Sequence, residues 1–400
     1  SLRTRNFRLF FIGQTISNTG NWLTNVALTL LVLKLTTSGV AIGLLAACQY
    51  GPMMFLSAWA GALADRRDKR HLLFVTQSLE MAQSIGLAIL AFMPHPPLGG
   101  IYALAFCGGV LLAFDNPMRR SFVTEMVPDS DLPNAVVLYS TIVNVSRIFG
   151  PALAGVLVVT VGFGWGFTLD AASYVAVIIC LILMRPSELY REAPKPRTPG
   201  AVREGFRYVR SVPTLWITFA MLAINSTLAY NFNVTLPLFV TRGLHAGDGA
   251  FTLLYSVLST GAVVCALFIA RRNVITMRQI IVGSALLGLA LLMLSAVPDV
   301  VFAIPVVFFV GITGILYTNA STAIVQIQSR RDMRGRVVSL QTIIIGGSAA
   351  LGGPILGAIA DSAGARPLMV LGGAVCMATA VFGHFTVNSH HERAPAPADD

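Results

Sequence analysis

The sequence predicts an all-α membrane protein with 12 transmembrane helices, arranged as two pseudo-symmetric six-helix bundles. Three observations carry this. Of the 400 residues, 55% are hydrophobic and only 12% charged, where a soluble chain carries about 25% charged residues. The apolar residues come in runs of about 20, the length that spans a hydrocarbon core of roughly 30 Å as a helix. The 28 Lys and Arg residues alternate between connections: 3 precede the first run, then 4, 2, 7, 3 and 4 fall in every second connection, and 1 in the tail. The opposite connections hold only Lys34, Arg242 and Arg366, and Arg147 lies inside a run. That asymmetry is the positive-inside pattern, and it places both termini in the cytoplasm. The net charge of +10 is therefore a topology signal with anionic headgroups as its ordinary partner. It is not a nucleic-acid footprint.

The runs of the first half lie at 9–33, 40–64, 72–93, 100–118, 134–160 and 163–184. In the first, Gln14, Asn18, Asn21 and Asn25 recur at spacings of 4, 3 and 4 and share one helix face. The second ends in Gly61-Ala-Leu-Ala-Asp65-Arg66-Arg67-Asp68-Lys69-Arg70. The third carries Glu80, ten residues beyond its basic end and so about 15 Å deep. The fourth carries Asp115 near its basic end, within reach of Arg66 or Arg70. The fifth contains Arg147-Ile-Phe-Gly150-Pro151-Ala-Leu-Ala-Gly155, and the sixth contains Asp170. Arg147 and Asp170 fall at matching depths, roughly 20 Å from one face and 10 Å from the other, so they form a candidate buried pair.

The segment 185–212 is the most polar long stretch and divides the chain. Its first part, rich in Pro and charge, reads as a linker. Its second part puts Val202, Phe206 and Val209 on one stripe and Arg203, Arg207 and Arg210 on another, as in an interfacial helix on the cytoplasmic leaflet. The second half, 213–388, has runs at 214–240, 250–270, 279–297, 300–326, 337–360 and 366–387, and 389–400 reads as a disordered tail. Its first run offers Ser226, Tyr230 and Asn233 at spacings of 4 and 3. Asn25-Val26 aligns with Asn233-Val234, and Gly150-Pro151 has an echo in Gly353-Pro354. Such duplication fits transporters that hold substrate at the midplane between repeats.

The 61–70 stretch resembles the signature loop of the major facilitator superfamily, G-x-L-a-D-R-x-x-[RK]-[RK], with Asp68 in place of the usual second Gly. Arg271-Arg272-Asn273, at the corresponding place in the second half, lacks the pattern. The resemblance implies a conformational latch built from Gly61, Asp65, Arg66, Arg70 and Asp115, with Gly61 admitting a close helix neighbour. Gly150, Pro151 and Gly155 resemble the superfamily's antiporter motif. With Arg-Asn-Phe-Arg-Leu-Phe-Phe near the N-terminus, Phe114-Asp115-Asn116-Pro117-Met-Arg119-Arg120 and Asp131-Leu-Pro133-Asn134, the chain resembles the bacterial branch that includes the enterobactin exporter. In that fold spans 1 and 7 face the central cavity, so Gln14, Asn18, Asn21, Asn25, Ser226, Tyr230 and Asn233 are its candidate lining. The superfamily's span-4 arginine has no counterpart within 100–118, and Arg147 is its candidate stand-in.

The resemblance implies a secondary active exporter of small amphiphilic molecules, siderophores or drugs, driven by proton entry and working by alternating access. Glu80, Asp115, Arg147 and Asp170 are the candidates for proton coupling, since ionisable groups inside a membrane mark ion pathways. Glu80 has no basic neighbour within four residues and is the candidate exchanger; Asp115, near Arg119 and Arg120, is the candidate charged anchor. An importer or lipid transporter on the same fold, and a transport-inactive receptor, are the alternatives. An enzyme is not expected, because no convergent catalytic set stands within the runs. There is no P-loop pattern for direct ATP drive. Cys48, Cys107, Cys180, Cys265 and Cys376 stand apart inside apolar runs, so no metal or cofactor is expected. No cleavable signal is apparent. The expected setting is the bacterial cytoplasmic (inner) membrane, multi-pass and monomeric, with substrate, protons and membrane lipids as partners.

Overall fold

In lipid every backbone N–H and C=O must be satisfied within the chain, and helices do this segment by segment. The computed structural model describes residues 1–64, 67–190, 201–269, 276–330 and 333–391, and among these there is no strand. The first bundle comprises α1 (Arg5–Leu35), α2 (Gly39–Ala64), α3 (Lys69–Phe92), α4 (Leu98–Glu125), α5 (Leu132–Thr160) and α6 (Phe163–Leu183). A short α7 (Ala201–Ser211) precedes the second bundle. That bundle comprises α8 (Pro213–Leu228) continued by α9 (Phe232–Leu238), then α10 (Asp248–Ile269), α11 (Met277–Ala296), α12 (Val300–Gln328), α13 (Arg334–Ala363) and α14 (Ala365–His391). Eleven of the resulting spans are long and apolar enough to cross a membrane on length and composition alone. The twelfth is α1, 31 residues long, whose amide stripe lowers its hydropathy.

Two differences from the expected runs matter. The fourth span continues past 118 to Glu125, so Arg119 lies inside a helix and not in a connection. Pro117 does not end it, because membrane helices tolerate proline where neighbours restore the lost bond. The seventh span is broken: α8 stops at Leu228, and both Ala229 and Tyr230 donate to the Asn225 carbonyl before α9 starts at Phe232. Ser226 and Asn233 therefore do not share one continuous helical stripe. The interfacial stripe is present only in part. Val209 is buried, whereas Phe206 is exposed and meets Trp216 edge-on at 6.4 Å. The linker 191–200 and the tail 392–400 lie outside the described residues, as does the side chain of Val202.

Within the first bundle α1 packs on α5 and α6, α3 on α4 and α6, and α2 on α4. In the second, α10 packs on α12, α11 on α12 and α14, and α8 on α13 and α14. The same turn closes the fifth span of each half: Gly162 after α5 has φ 89° and Gly364 after α13 has φ 95°. Only glycine takes this left-handed backbone without strain, so the duplication survives in the turn chemistry.

The halves meet along α2–α13 and α5–α10. We call the end carrying residues 67–71 and 126–131 the basic face, and the end carrying 36–38 and 162 the far face. At the far face α2 and α13 approach so closely that a Cβ on Gly43 would collide with the Gly353 carbonyl. Dispersion at such small-residue contacts is what joins helices in lipid. Asp361 at the end of α13 adds a polar clasp. It accepts from the N–H of Gly39 (2.6 Å) and Val40 (3.0 Å) and from Ser38 Oγ (3.0 Å), and pairs with Arg242 (2.8 Å). It thus satisfies orphan donors at the α2 N-terminus from the other half. Among the described residues, every hydrogen bond between the halves lies in this clasp or at the centre.

A Gly43→Val substitution should overfill this contact and destabilise the purified protein by about 1–3 kcal/mol, a typical overpacking loss. Thermal unfolding together with disulfide crosslinking of cysteines placed at 38 and 361 checks this. Unchanged stability with efficient crosslinking would show that the approach is not tight.

Candidate functional site

The buried charges of the first bundle converge on one guanidinium. Arg119, on α4 and only 4% exposed, forms a close ion pair with Asp115 one turn earlier. Its Nη2 lies 3.3 Å from Glu80 Oε2 on α3, and its Nη1 donates to Gln14 Oε1 on α1 at 2.8 Å. Gln77 stitches the carboxylates together, with Nε2 donating to Glu80 (2.8 Å) and to Asp115 (2.9 Å). Thr76 donates to Asp115 at 3.2 Å. Spacing explains the assembly: Thr76, Gln77 and Glu80 lie within about one turn of α3, as do Asp115 and Arg119 of α4.

Asp170 on α6 stands in the same bundle without a cation in contact. Its Oδ2 accepts from Thr24 (2.8 Å) and Ser84 (2.7 Å). It is 1% exposed, and the adjoining Tyr174 hydroxyl donates to Asn21 at 2.8 Å. A cavity of about 90 Å³ opens beside this set. Its lining includes Glu80, Asn21, Tyr174, Asn25, Gln49 and Tyr50. One cavity thus touches both the buried Glu80 and Tyr50 at the seam between the halves.

At that seam the two repeat-related asparagines meet on one phenol. Tyr50 Oη accepts from Asn25 (3.2 Å) and from Asn233 (2.9 Å), and the Tyr255 hydroxyl donates to Asn233 Oδ1 at 2.7 Å. The break between α8 and α9 lies next to this bridge. Tyr230, in the break, stacks edge-on with Phe232 at 5.0 Å. Ser226, buried on α8, makes no hydrogen bond to the Tyr50 set.

Several sequence expectations meet different geometry. Arg147 and Asp170 do not pair: the Arg147 guanidinium lies 5.3 Å from the Trp22 ring centroid, while Asp170 is held by hydroxyls. Asp115 pairs with Arg119, whereas Arg70 donates to the carbonyls of Leu181 (2.8 Å) and Ile182 (3.3 Å). Among the described residues Gly61 has no close neighbour, since a Cβ there would meet none of them within 4 Å. Asp65 and Arg66, like Arg271-Arg272-Asn273, lie outside the described residues. Asp68 caps α3 by accepting from the His71 N–H at 3.1 Å, which accounts for an aspartate where the signature loop has glycine. The amide stripe of α1 divides: Asn18 donates to Gln14 (3.1 Å), Asn21 accepts from Tyr174, and Asn25 reaches Tyr50. Gly150 abuts Trp22 and Gly155 abuts Thr252 of α10, so this motif, with Pro151 between them, forms packing surface on both sides.

Arg119 is the residue the sequence reading missed as a site residue. Its signal was the four-residue spacing from Asp115, a helical ion-pair spacing.

The comparisons place this arrangement among transporters. The family model described as transmembrane secretion effector matches residues 1–399. The chain is 25% identical over 386 residues to the staphyloferrin A transporter of Staphylococcus aureus, covering 94% of this chain and 95% of that one. It is 26% identical over 262 residues to the enterobactin exporter EntS of Citrobacter koseri, covering 65% and 62%. Among solved structures, a bacterial homologue of the human lysosomal transporter Spinster, inward-facing and unoccupied, superposes with TM-score 0.75 at 16% identity, covering 98% of this chain and 99% of that one. The POT family transporter PepTSo superposes with TM-score 0.81 at 11% identity, covering 98% and 99%. These structural likenesses establish the fold.

Replacing Arg119 with Met leaves two buried carboxylates without their cation. Breaking a buried pair in this way costs about 3–5 kcal/mol, and thermal unfolding of the purified protein should register it. The triple variant Arg119→Met, Glu80→Gln, Asp115→Asn should recover most of the loss. A triple variant as unstable as the single one would mean that Arg119 acts through packing.

Proposed function

This chain belongs to the transmembrane secretion effector family of the major facilitator superfamily, and on that premise we propose that it is a proton-coupled exporter. Its cargo is a small amphiphilic molecule, siderophore or drug-like, moved by alternating access across a bacterial cytoplasmic membrane. Its relatives, a staphyloferrin A transporter and an enterobactin exporter, favour the siderophore end of that range. The basic face is then cytoplasmic, as the Lys and Arg distribution requires. On this reading the clasp of the halves at the far face belongs to the cargo-loading, inward-facing state of the cycle.

The observation that carries the reading is the cavity that joins Glu80 to Tyr50. On one side stand three buried carboxylates, Glu80, Asp115 and Asp170, with one guanidinium, Arg119, in contact with two of them. One positive charge cannot balance three negative ones in a medium that penalises isolated charge. The set therefore holds protons, and their number can change as access alternates. Glu80 is the exchanging group, because it lines the cavity and its contact with Arg119 is the looser of the two. The groups facing it are Gln77 on its own helix, Asp115 and Arg119 from α4, and Asp170 and Tyr174 from α6. Asp115, clamped by Arg119, Thr76 and Gln77, is the anchor.

On the other side the cargo sits against the Tyr50–Asn25–Asn233 bridge. A broken helix at the midplane beside a binding site is the arrangement found in duplicated transporters. The loop from Gly61 to Arg70 acts as the cytoplasmic latch when the basic face closes. No cofactor takes part.

Glu80→Gln mimics the proton-loaded state. In proteoliposomes under an imposed pH gradient, it should abolish pH-driven flux while cargo-dependent thermal stabilisation persists. Flux that still follows the gradient would remove Glu80 from the mechanism and turn attention to Asp170.

A further inference from the structure

Most buried ionic groups in this protein have a partner. Arg119 has Asp115 and Glu80, and Lys69 has Glu125. Arg147 does not. Halfway along α5 and half-buried, it forms no ion pair among the described residues, and its buried Nε has no hydrogen-bond partner. Its one close neighbour of electrostatic consequence is the face of Trp22, at 5.3 Å. A guanidinium at this depth is costly unless something balances it, and a cation–π contact with one ring is a modest return, about 0.5–2 in kcal/mol terms.

Its position says what balances it. Arg147, Gly150 and Gly155 fall on roughly one face of α5. Gly150 packs against Trp22 on α1, and Gly155 packs against Thr252 on α10 in the other half. Arg147 is thus one turn from the closed seam, on the side towards the basic face. The ring of Tyr255 lies 6.3 Å from that of Trp22, and both Tyr50 and Tyr255 stand within electrostatic reach of the guanidinium.

Tyr50 has an unfilled valence of its own. Its oxygen accepts from Asn25 and Asn233, and its own O–H finds no acceptor among the described residues. Two donors without acceptors among the described residues, one fully charged, thus stand beside the seam, linked through Trp22, Tyr255 and Asn233. An oxyanion satisfies both at once, since charge-assisted hydrogen bonds to guanidinium are among the strongest available to a protein.

We infer that Arg147 and Tyr50 form an oxyanion-binding site at the seam between the halves, so that the cargo is an aromatic or amphiphilic molecule bearing a carboxylate or a similar anionic oxygen. This rests on the export reading and narrows its substrate class. It also gives Arg147 a role apart from the proton set, which lies inside the first bundle and is served by Arg119.

Two near-isosteric fluorescent probes test it: N-dansyl-glutamate, with two carboxylates, and its neutral counterpart N-dansyl-glutamine amide. Each is offered to inside-out vesicles holding the full-length protein, and insertion is verified for every variant. The readout is the ratio of the two uptake rates, which does not depend on the amount of protein. Wild type should favour the dicarboxylate by about tenfold or more, the scale of one charged hydrogen-bonded contact. Arg147→Gln should bring the ratio near one, Arg147→Lys should restore part of it, and Tyr50→Phe should lower it to an intermediate value. Equal uptake of both probes by wild type, or a preference that survives Arg147→Gln, overturns the oxyanion site while leaving export standing. No uptake of either probe by inserted wild-type protein overturns both readings together.

Discussion

A guanidinium shared between two carboxylates inside a membrane-embedded bundle is the constraint around which the first half is organised. Arg119 cannot be left alone in lipid, and neither can Glu80 or Asp115. Their mutual placement ties α3 to α4, and Gln14 extends the tie to α1. The bundle can stay closed around these groups only because each has several contacts. Asp170 is the exception that gives the set its character. It is satisfied by hydroxyls alone, so the charge count of the cluster is unbalanced by construction. On the proposed reading a cluster of that kind exchanges protons, whereas a set of equal positive and negative charges would serve only as a structural pin.

The seam between the halves follows a different logic. No hydrophobic drive joins helices that already sit in hydrocarbon. Contact is made instead by glycine-lined approach and by a few polar clasps, of which Asp361 and the Tyr50 bridge are the ones described. Such contacts are individually weak and can be exchanged for others at the opposite face. That suits the proposed cycle, in which the two halves separate at one end as they close at the other. Glu80 and Tyr50 line one cavity, and on the proposed reading this is where the unbalanced cluster and the seam act on each other.

Much of this was legible in the sequence because the membrane imposes simple rules. Run length and the alternation of Lys and Arg marked the spans, and Asn25 and Asn233 stood out by their repeat-related positions. Both asparagines reach the same phenol, although the sequence offered no sign of Tyr50 as their shared partner. Tertiary pairing was the illegible part. Matching depth suggested Arg147 with Asp170, but depth says nothing about which way each helix faces; Arg147 turns towards the seam and Asp170 into the bundle. Arg119 was hidden by the habit of ending an apolar run at its first charges, when a buried pair can carry the helix two turns further. The break after Leu228 has no glycine or proline at Ala229, Tyr230 or Asn231 to announce it. The Asp361 clasp joins residues more than three hundred positions apart, and nothing local foretells it.

The central claim is that protonation of the buried cluster shifts the balance between the two ways in which the halves can meet. Spin labels report this directly in a cysteine-free background of the full chain in lipid nanodiscs. One pair, at Ser130 and Ser339, spans the basic face on exposed positions. A second pair, at Val161 and Val301, spans the far face on side chains 50% and 71% exposed. Pulsed electron resonance across a pH series should show the two distance distributions shifting in opposite senses, one pair closing as the other opens. Distributions that stay fixed across the series, or that move together, would contradict the claim.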